Sequence, residues 1–413
     1  MKRIPALLIV GMLAVSGWAE EPKYEPYSPE LVQKADAGDA SAQRNLGICY
    51  ESGKGVTKDE KAAVKWYTKA AEQGDAMAQC NLGGCYFDGL GVGKDDKEAV
   101  KWYRKSAEQG NDHGQHSLGW FYVNGKGVGK DEKEAVKWYT KAAEQGFAGA
   151  QFNLGVSYYK GQGVTQDFKE AVKWYTKAAE QGNAGAQFYL GNCYYNGTGV
   201  AKDEKEAVKW FTKSANQGEA FGQYGLGYCL LNGKGVGKDE KEAVKWFTKA
   251  AEQGNAKAQY SLGDCYSQGA GVTQDSKDAV KWYAKSAEHG DAEAQSRLGL
   301  YYYTGVVVAK DEKEAVKWFT KSAKQGEAFG QYGLGECYES GKGVTKDEKE
   351  AVKWYKKAVE QGNALAQYNL GRCYYYGKGV GKDEKEAVKW YTKAAEQNYE
   401  EAKKALERIK AKQ

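Results

Sequence analysis

The sequence predicts an all-α solenoid of ten 36-residue helix–turn–helix repeats held between two terminal capping helices. Three observations carry this. First, Trp66, Trp102, Trp138, Trp174, Trp210, Trp246, Trp282, Trp318, Trp354 and Trp390 recur every 36 residues, and ten units run from Asp39 to Asn398 without an insertion or deletion. A fixed period of this size means units that stack on their neighbours, so the 413-residue length does not translate into several ordinary domains. Second, all four prolines (Pro5, Pro22, Pro26, Pro29) precede residue 30, leaving the remainder free to be helical. Third, glycines recur four to a unit, as Gly47, Gly53, Gly55 and Gly74 in the first, and punctuate each unit as turns do.

Taken from the N-terminus, Lys2 and Arg3 precede an apolar stretch from Ala6 to Val15, and Gly17-Trp18-Ala19 offers small residues before Glu20. Residues 1–19 therefore read as a signal peptide, and the chain as periplasmic or secreted from a bacterial-type cell. The stretch is too short to span a bilayer, which takes about 20 apolar residues. No cysteine follows it, so lipid attachment is not indicated. Residues 20–27 read as a linker, and Ser28-Pro29-Glu30-Leu31 as an N-cap with Pro at N1, opening a capping helix over 28–38.

The unit from Asn111 to Gly146 shows the repeat. Its first half, helix A, stops at Gly125-Lys126-Gly127-Val128; Asp131 then opens helix B, with Glu134 placed to complete a capping box. Helix B ends at Gly146, and Asp or Asn usually starts the next unit. On a helical wheel the constant places of helix A (Ala40, Ala42, Gln43, Leu46, Gly47, Cys49, Tyr50 in the first unit) separate from an arc of changeable ones (Ser41, Arg44, Asn45, Ile48, Glu51, Ser52). Helix B is constant on both faces: Ala63, Val64, Trp66, Tyr67, Ala70 and Ala71 on one, Lys61, Lys65, Lys69 and Glu72 on the other. Tyr399 to Lys412 reads as a last helix A, so residues 399–413 form the C-terminal cap over repeats spanning 39–398.

The pattern Ala148-Gly-Ala-Gln151, Leu154-Gly155, Tyr158, Gly161-Gln-Gly163-Val164, Asp167, Ala171-Val-Lys-Trp174-Tyr175 resembles the Sel-one-like repeat family, a branch of the tetratricopeptide class, in all ten units. The resemblance implies a right-handed superhelix with helix A lining the inner surface. It also implies work as an adaptor that holds other proteins, in the bacterial envelope or against host cells. Two places depart from the pattern. Val307 stands where the other nine units have the second turn glycine; if that place needs a positive φ, the eighth turn is strained or rebuilt. Cysteine-rich members staple each unit with a disulfide, but Ala71 and Gln79 stand at roughly those places here. Neither that framework nor the penicillin-related activity proposed for those members carries over readily.

With helix A inside, the changeable arc is the expected partner-binding surface. One place carries Phe152, Phe188, Tyr224, Tyr260, Tyr332 and Tyr368, and a second carries Tyr159, Tyr195, Tyr303 and Tyr375. Trp120 and Tyr228 lie on the same arc, with Asn153, Asn196 and Asn369 between aromatics. Tyr and Trp give large, rigid contact area, as binding hot spots do; the plainer reading is that some of these rings pack between adjacent A helices. Residues 201–229 and 309–337 differ at only two places, Asn216/Lys324 and Tyr228/Glu336, so part of this surface is copied.

No catalytic, cofactor or metal site is expected. Seven of the eight cysteines (Cys49, Cys85, Cys193, Cys229, Cys265, Cys337, Cys373) share one place in helix A, where neighbouring helices about 8–10 Å apart are too distant for bridges. His113 and His116 with Cys80 lack evident third and fourth ligands. Gly125-x-Gly127-x-Gly129-Lys130 imitates a phosphate loop but lacks a following Ser/Thr and runs into Asp131. No Ser-x-x-Lys occurs. The Lys61-Lys65-Lys69 stripe is balanced by acids and reads as a solvated outer face; a net charge of +5 with interleaved signs does not indicate nucleic acid. The expected function is an exported, non-enzymatic scaffold binding a protein or extended peptide. The alternatives are a glycan or peptidoglycan binder and, more remotely, a β-lactamase-like hydrolase.

Overall fold

A computed structural model describes residues 24–411, in two units that divide between Gly225 and Leu226; the expected signal peptide lies outside the described residues. Among the described residues there are 22 helices and no strand. In the first unit α1 (Pro29–Asp36) precedes A helices α2 (Ala40–Ser52), α4 (Ala76–Asp88), α6 (Asp112–Asn124), α8 (Ala148–Lys160) and α10 (Ala184–Asn196). These alternate with B helices α3 (Glu60–Glu72), α5 (Asp96–Glu108), α7 (Glu132–Glu144), α9 (Phe168–Glu180) and α11 (Glu204–Asn216). The division falls within α12 (Ala220–Asn232), an A helix. The second unit holds B helices α13 (Glu240–Glu252), α15 (Ser276–Glu288), α17 (Glu312–Lys324), α19 (Glu348–Glu360) and α21 (Glu384–Glu396). Between them lie A helices α14 (Ala256–Gln268), α16 (Ala292–Thr304), α18 (Ala328–Ser340) and α20 (Ala364–Tyr376), with α22 (Glu400–Lys410) last. The chain is a solenoid-like succession of helix pairs, as the 36-residue period predicts.

Local chemistry sets the helix ends. Asp131 Oδ1 accepts from the Glu134 backbone N–H at 3.0 Å, which caps α7. The reciprocal half of the expected capping box does not form. The Asp131 N–H already donates to the Tyr122 carbonyl at 3.0 Å, so the Glu134 carboxylate turns instead to Lys137 at 2.7 Å. A helices stop on left-handed glycines such as Gly125, φ 63°. B helices stop just before a glycine with positive φ, as Gln145 then Gly146, φ 98°; only after α21 does another residue, Asn398, take that place, φ 63°.

Packing explains two of the constant glycines. In α8, a Cβ on Gly155 would stand 2.7 Å from the Tyr175 ring, so only glycine lets the B-helix aromatic close on helix A. At the second turn place, a Cβ on Gly163 would stand 2.1 Å from the carbonyl oxygen of Glu132, the first residue of the preceding B helix. Val307 occupies that place in the eighth repeat and keeps φ at +75°, so the turn is strained and not rebuilt. Val307→Gly is therefore expected to stabilise the chain by about 1 kcal/mol, whereas the same change at exposed Val306 gains nothing; thermal melts check both.

Within each unit the tryptophans tie a repeat to the one before. Trp102 is buried with Ala63, Tyr67, Ala70, Leu82 and Cys85 of the two helix pairs it joins, and Trp174 with Tyr139, Ala142 and Leu154. Their outer edges lie under lysine: Lys105 Nζ is 4.3 Å from the Trp102 ring centre and Lys177 Nζ 4.3 Å from that of Trp174. The lysine stripe is thus only partly a solvated face. Its third member covers indole, while a second, as in Lys137, pairs with the glutamate three residues before it.

A ladder of glutamines adds polar stitches. Gln151 Nε2 donates to the Ala143 carbonyl at 3.1 Å, and Gln151 Oε1 accepts from Gln181 Nε2 at 2.7 Å. One buried amide thus links the end of α7, helix α8 and the end of α9. Gln43, Gln79, Gln115 and Gln187 repeat it in the first unit, and Gln259, Gln295, Gln331 and Gln367 in the second, with His289 replacing the second glutamine once. The Ala71 and Gln79 places, associated above with a disulfide, are joined in this way: Gln79 Nε2 donates to the Ala71 carbonyl at 3.0 Å.

Candidate partner-binding surface

Because the glycines and alanines of helix A are spent on packing, the changeable places are what helix A has left to offer. The first aromatic row does not stand free on that surface. Five of its six rings lean on the B-helix aromatic of their own repeat: Phe152 on Tyr175 at 6.1 Å between ring centres, Phe188 on Phe211 at 5.9 Å, Tyr260 on Tyr283 at 5.6 Å, Tyr332 on Tyr355 at 6.2 Å and Tyr368 on Tyr391 at 5.6 Å. Phe152, Tyr260, Tyr332 and Tyr368 remain half-buried, with an edge in solvent. Phe188 and Tyr224 are 1% and 8% exposed, and Tyr195 of the second row 8%. For these three the expected exposure is corrected: their rings fill the packing, and Phe188 is closed over by Phe221 at 5.6 Å.

The other expected residues are half-buried. Trp120 meets Phe87 edge-on at 5.3 Å, with Lys126 Nζ 5.2 Å from its ring centre. Tyr159 touches Phe168 at 5.3 Å and lies 6.4 Å from both Tyr175 and Tyr189. Tyr303 accepts from Lys342 Nζ at 3.2 Å, and Tyr375 packs edge-on against Tyr376 at 4.9 Å. Tyr228 lies in the second unit, where its carbonyl accepts from Asn232 Nδ2 at 2.8 Å. The asparagines are engaged: Asn153 bonds His116 Nε2 at 2.9 Å, Asn369 donates to the Tyr355 hydroxyl at 3.2 Å, and Asn196 donates to Asn192.

Reading the sequence missed a set of acids beneath this surface. Asp264 accepts from the Tyr283 hydroxyl at 2.7 Å and Glu339 from that of Tyr355 at 2.8 Å; Glu51 accepts from Tyr67. The available signal was a coincidence between two places: these acids occur on helix A only where helix B of the same repeat carries Tyr. Charged pairs also bridge successive A helices, Arg44 to Asp75 at 2.6 Å and Lys257 to the buried Asp291 at 2.7 Å.

Burial pushes the thiols of Cys85, Cys193, Cys265, Cys337 and Cys373 up to about 12, so they are protonated packing groups. Among the described residues no cluster of three or more His, Cys, Asp or Glu could hold a metal ion, and no helix is long and apolar enough to cross a membrane.

Burial moves His116 strongly. Packed on Phe147 and Tyr139, its ring is held at a pKa of about 4, chiefly by desolvation, with His113 adding to the shift and Asp112 opposing it. Above pH 6.5 the folded and unfolded rings are both neutral and the site is neutral to stability. As pH falls from 6.5 toward 4 only the unfolded ring takes a proton, so stability drops across that window and levels below it. The expected loss is on the order of 2 kcal/mol. His116→Phe, which copies Phe152 one repeat later, removes that part of the pH dependence in denaturant titrations at pH 7 and pH 4.

All ten repeats match the model of the Sel1 repeat, over residues 40–75, 76–111, 112–147, 148–183, 184–219, 220–255, 256–291, 292–327, 328–363 and 364–399. The chain belongs to the Sel1 repeat family. Sel1-repeat proteins are interaction scaffolds that generally mediate contacts between proteins. Among solved structures, this Sel1-repeat chain is similar to c5321, a protective antigen of uropathogenic Escherichia coli strains with an SLR fold. The identity is 42% and the TM-score 0.76, over 92% of this chain and 82% of that one. It is also similar to a Sel1 repeat protein from Oxalobacter formigenes, with 33% identity and a TM-score of 0.54 over 79% of this chain and 92% of that one. No curated protein matches.

Proposed function

We propose that this Sel1-repeat protein is an exported, non-enzymatic scaffold that holds a partner protein, or an extended segment of one, along its helix-A surface. The observation that carries this reading is the split between constant and changeable places. What is constant is buried or pairs with its own helix, as Leu46, Gln43 and the Lys137–Glu134 pair do. What changes from repeat to repeat, including the half-exposed Trp120, Tyr159, Tyr303 and Tyr375, collects on helix A. Export is supported by the reading of residues 1–19 and by similarity to an antigen, a molecule that antibodies must reach. A photo-cross-linking residue at Trp120 or Tyr303, compared with one at Lys65 on helix B, tests the surface in cells of the source type. Protein adducts from the first two positions and none from the third are expected. Adducts equal at all three positions overturn the reading, and adducts with cell-wall glycan replace a protein partner by the polymer.

A further inference from the structure

In the seventh and eighth repeats, a groove of about 330 Å³ opens between α14 and α16. Asp264, Ser267, Gln268, Tyr283, Arg297 and Thr304 line it, and the Tyr283 hydroxyl at its floor donates to Asp264 at 2.7 Å. In the fourth and fifth repeats, three 36-residue steps earlier, the same places are Val156, Tyr159, Lys160, Tyr175, Tyr189 and Asn196. The acid has become valine. The place from which Glu51 and Glu339 reach their tyrosines is likewise taken, here by Tyr159.

Two groups are left wanting an acceptor. The Tyr175 hydroxyl is buried and has no hydrogen-bond partner, although its ring is fully enclosed by Phe152, Tyr159 and Tyr189. Leaving such a donor unpaired costs free energy, and the fifth, sixth and eighth repeats avoid the cost by carrying Phe211, Phe247 and Phe319 there, with no acid at either of these two places of helix A. Lys160, on α8 directly after Tyr159, is half-buried and makes no ion pair, and burial lowers its pKa below the usual lysine value. A donor without an acceptor and a cation without an anion call for the same group.

We infer that the aromatic cluster enclosing Tyr175 opens to accept a carboxylate side chain, Glu or Asp, from an extended segment of the partner protein, which takes the place that Asp264, Glu51 and Glu339 fill elsewhere in the chain. Tyr159 swings out to admit it, Tyr175 donates to one carboxylate oxygen and Lys160 neutralises the charge. The inference rests on the helix-A surface being the binding surface.

Panning a random dodecapeptide library against the full chain tests it. Retained peptides are expected to prefer Glu or Asp over Gln or Asn at one position by about tenfold, the worth of a charge-assisted hydrogen bond. That preference should vanish with Tyr175→Phe, weaken with Lys160→Gln and vanish with Tyr159→Glu, which supplies the carboxylate internally. Peptides retained without an acidic preference, or with one that Tyr175→Phe leaves intact, overturn the inference while leaving the helix-A reading standing if Trp120→Ala still releases them. Retention of no peptide also overturns it. Independently of any ligand, Tyr159→Glu should melt about 1–2 °C above Tyr159→Gln, because only the acid satisfies Tyr175. Equal melting of the two overturns the claim that Tyr175 lacks an acceptor.

Discussion

Trp174→Ala is expected to cost about 3–5 kcal/mol, enough to separate the folding of the repeats on either side. The indole is 8% exposed and sits among Tyr139, Ala142, Ala143 and Leu154, residues of the preceding B helix and its own helix A. Alanine there opens a cavity where two repeats meet, and small neighbours such as Ala142 and Ala143 cannot expand to fill it. Asn124→Ala, on an exposed changeable place, should stay within about 0.5 kcal/mol of the parent. Denaturant titration followed by circular dichroism distinguishes the two, and a broadened or split transition in Trp174→Ala would mark loss of coupling between repeats.

Gln151→Leu is the second large effect. The two residues are close in size, so the cost is not a cavity but two lost hydrogen bonds: the Ala143 carbonyl keeps the Gly146 N–H but loses its side-chain donor at 3.1 Å, and the Gln181 amide loses its acceptor at 2.7 Å. Each buried polar group left unpaired costs about 1–3 kcal/mol, and Gln181, at the solvent edge, recovers part by turning to water. A net loss of about 1–3 kcal/mol follows. Replacing Gln181 as well by leucine should cost little more, since the partner is already gone. A double-mutant cycle measured by denaturant titration reads that non-additivity directly.

The period and the glycines made the fold legible without coordinates, because each unit repeats the same demand on its neighbours. The tryptophan column, the left-handed helix stops and the strain at Val307 all follow from one place having one job. The candidate surface was legible only in outline. Whether an aromatic on a changeable place is exposed depends on what the next repeat sets against it, which a single place does not encode. Phe152 faces Gly185 and keeps an edge in solvent, whereas Phe188 faces Phe221 and is sealed. The tyrosine–acid pairs hid for the same reason: Tyr283 means one thing with Asp264 above it, and Tyr175 another with Val156 there. The constant glutamine was visible as a constant but not as a stitch, since nothing in its spacing tells which carbonyl it will reach.

That stitch also fixes how the chain comes apart. A glutamine such as Gln115 binds backward to the Ala107 carbonyl and is itself held by Gln145. Melting an interior helix pair strands polar groups on both flanks, whereas melting a pair at an end strands them on one. Loss of order should therefore start at the extremities and travel inward, and a protease acting on the native molecule should leave a series of products graded in length by one 36-residue step, the spacing of a ruler already written in its tryptophans.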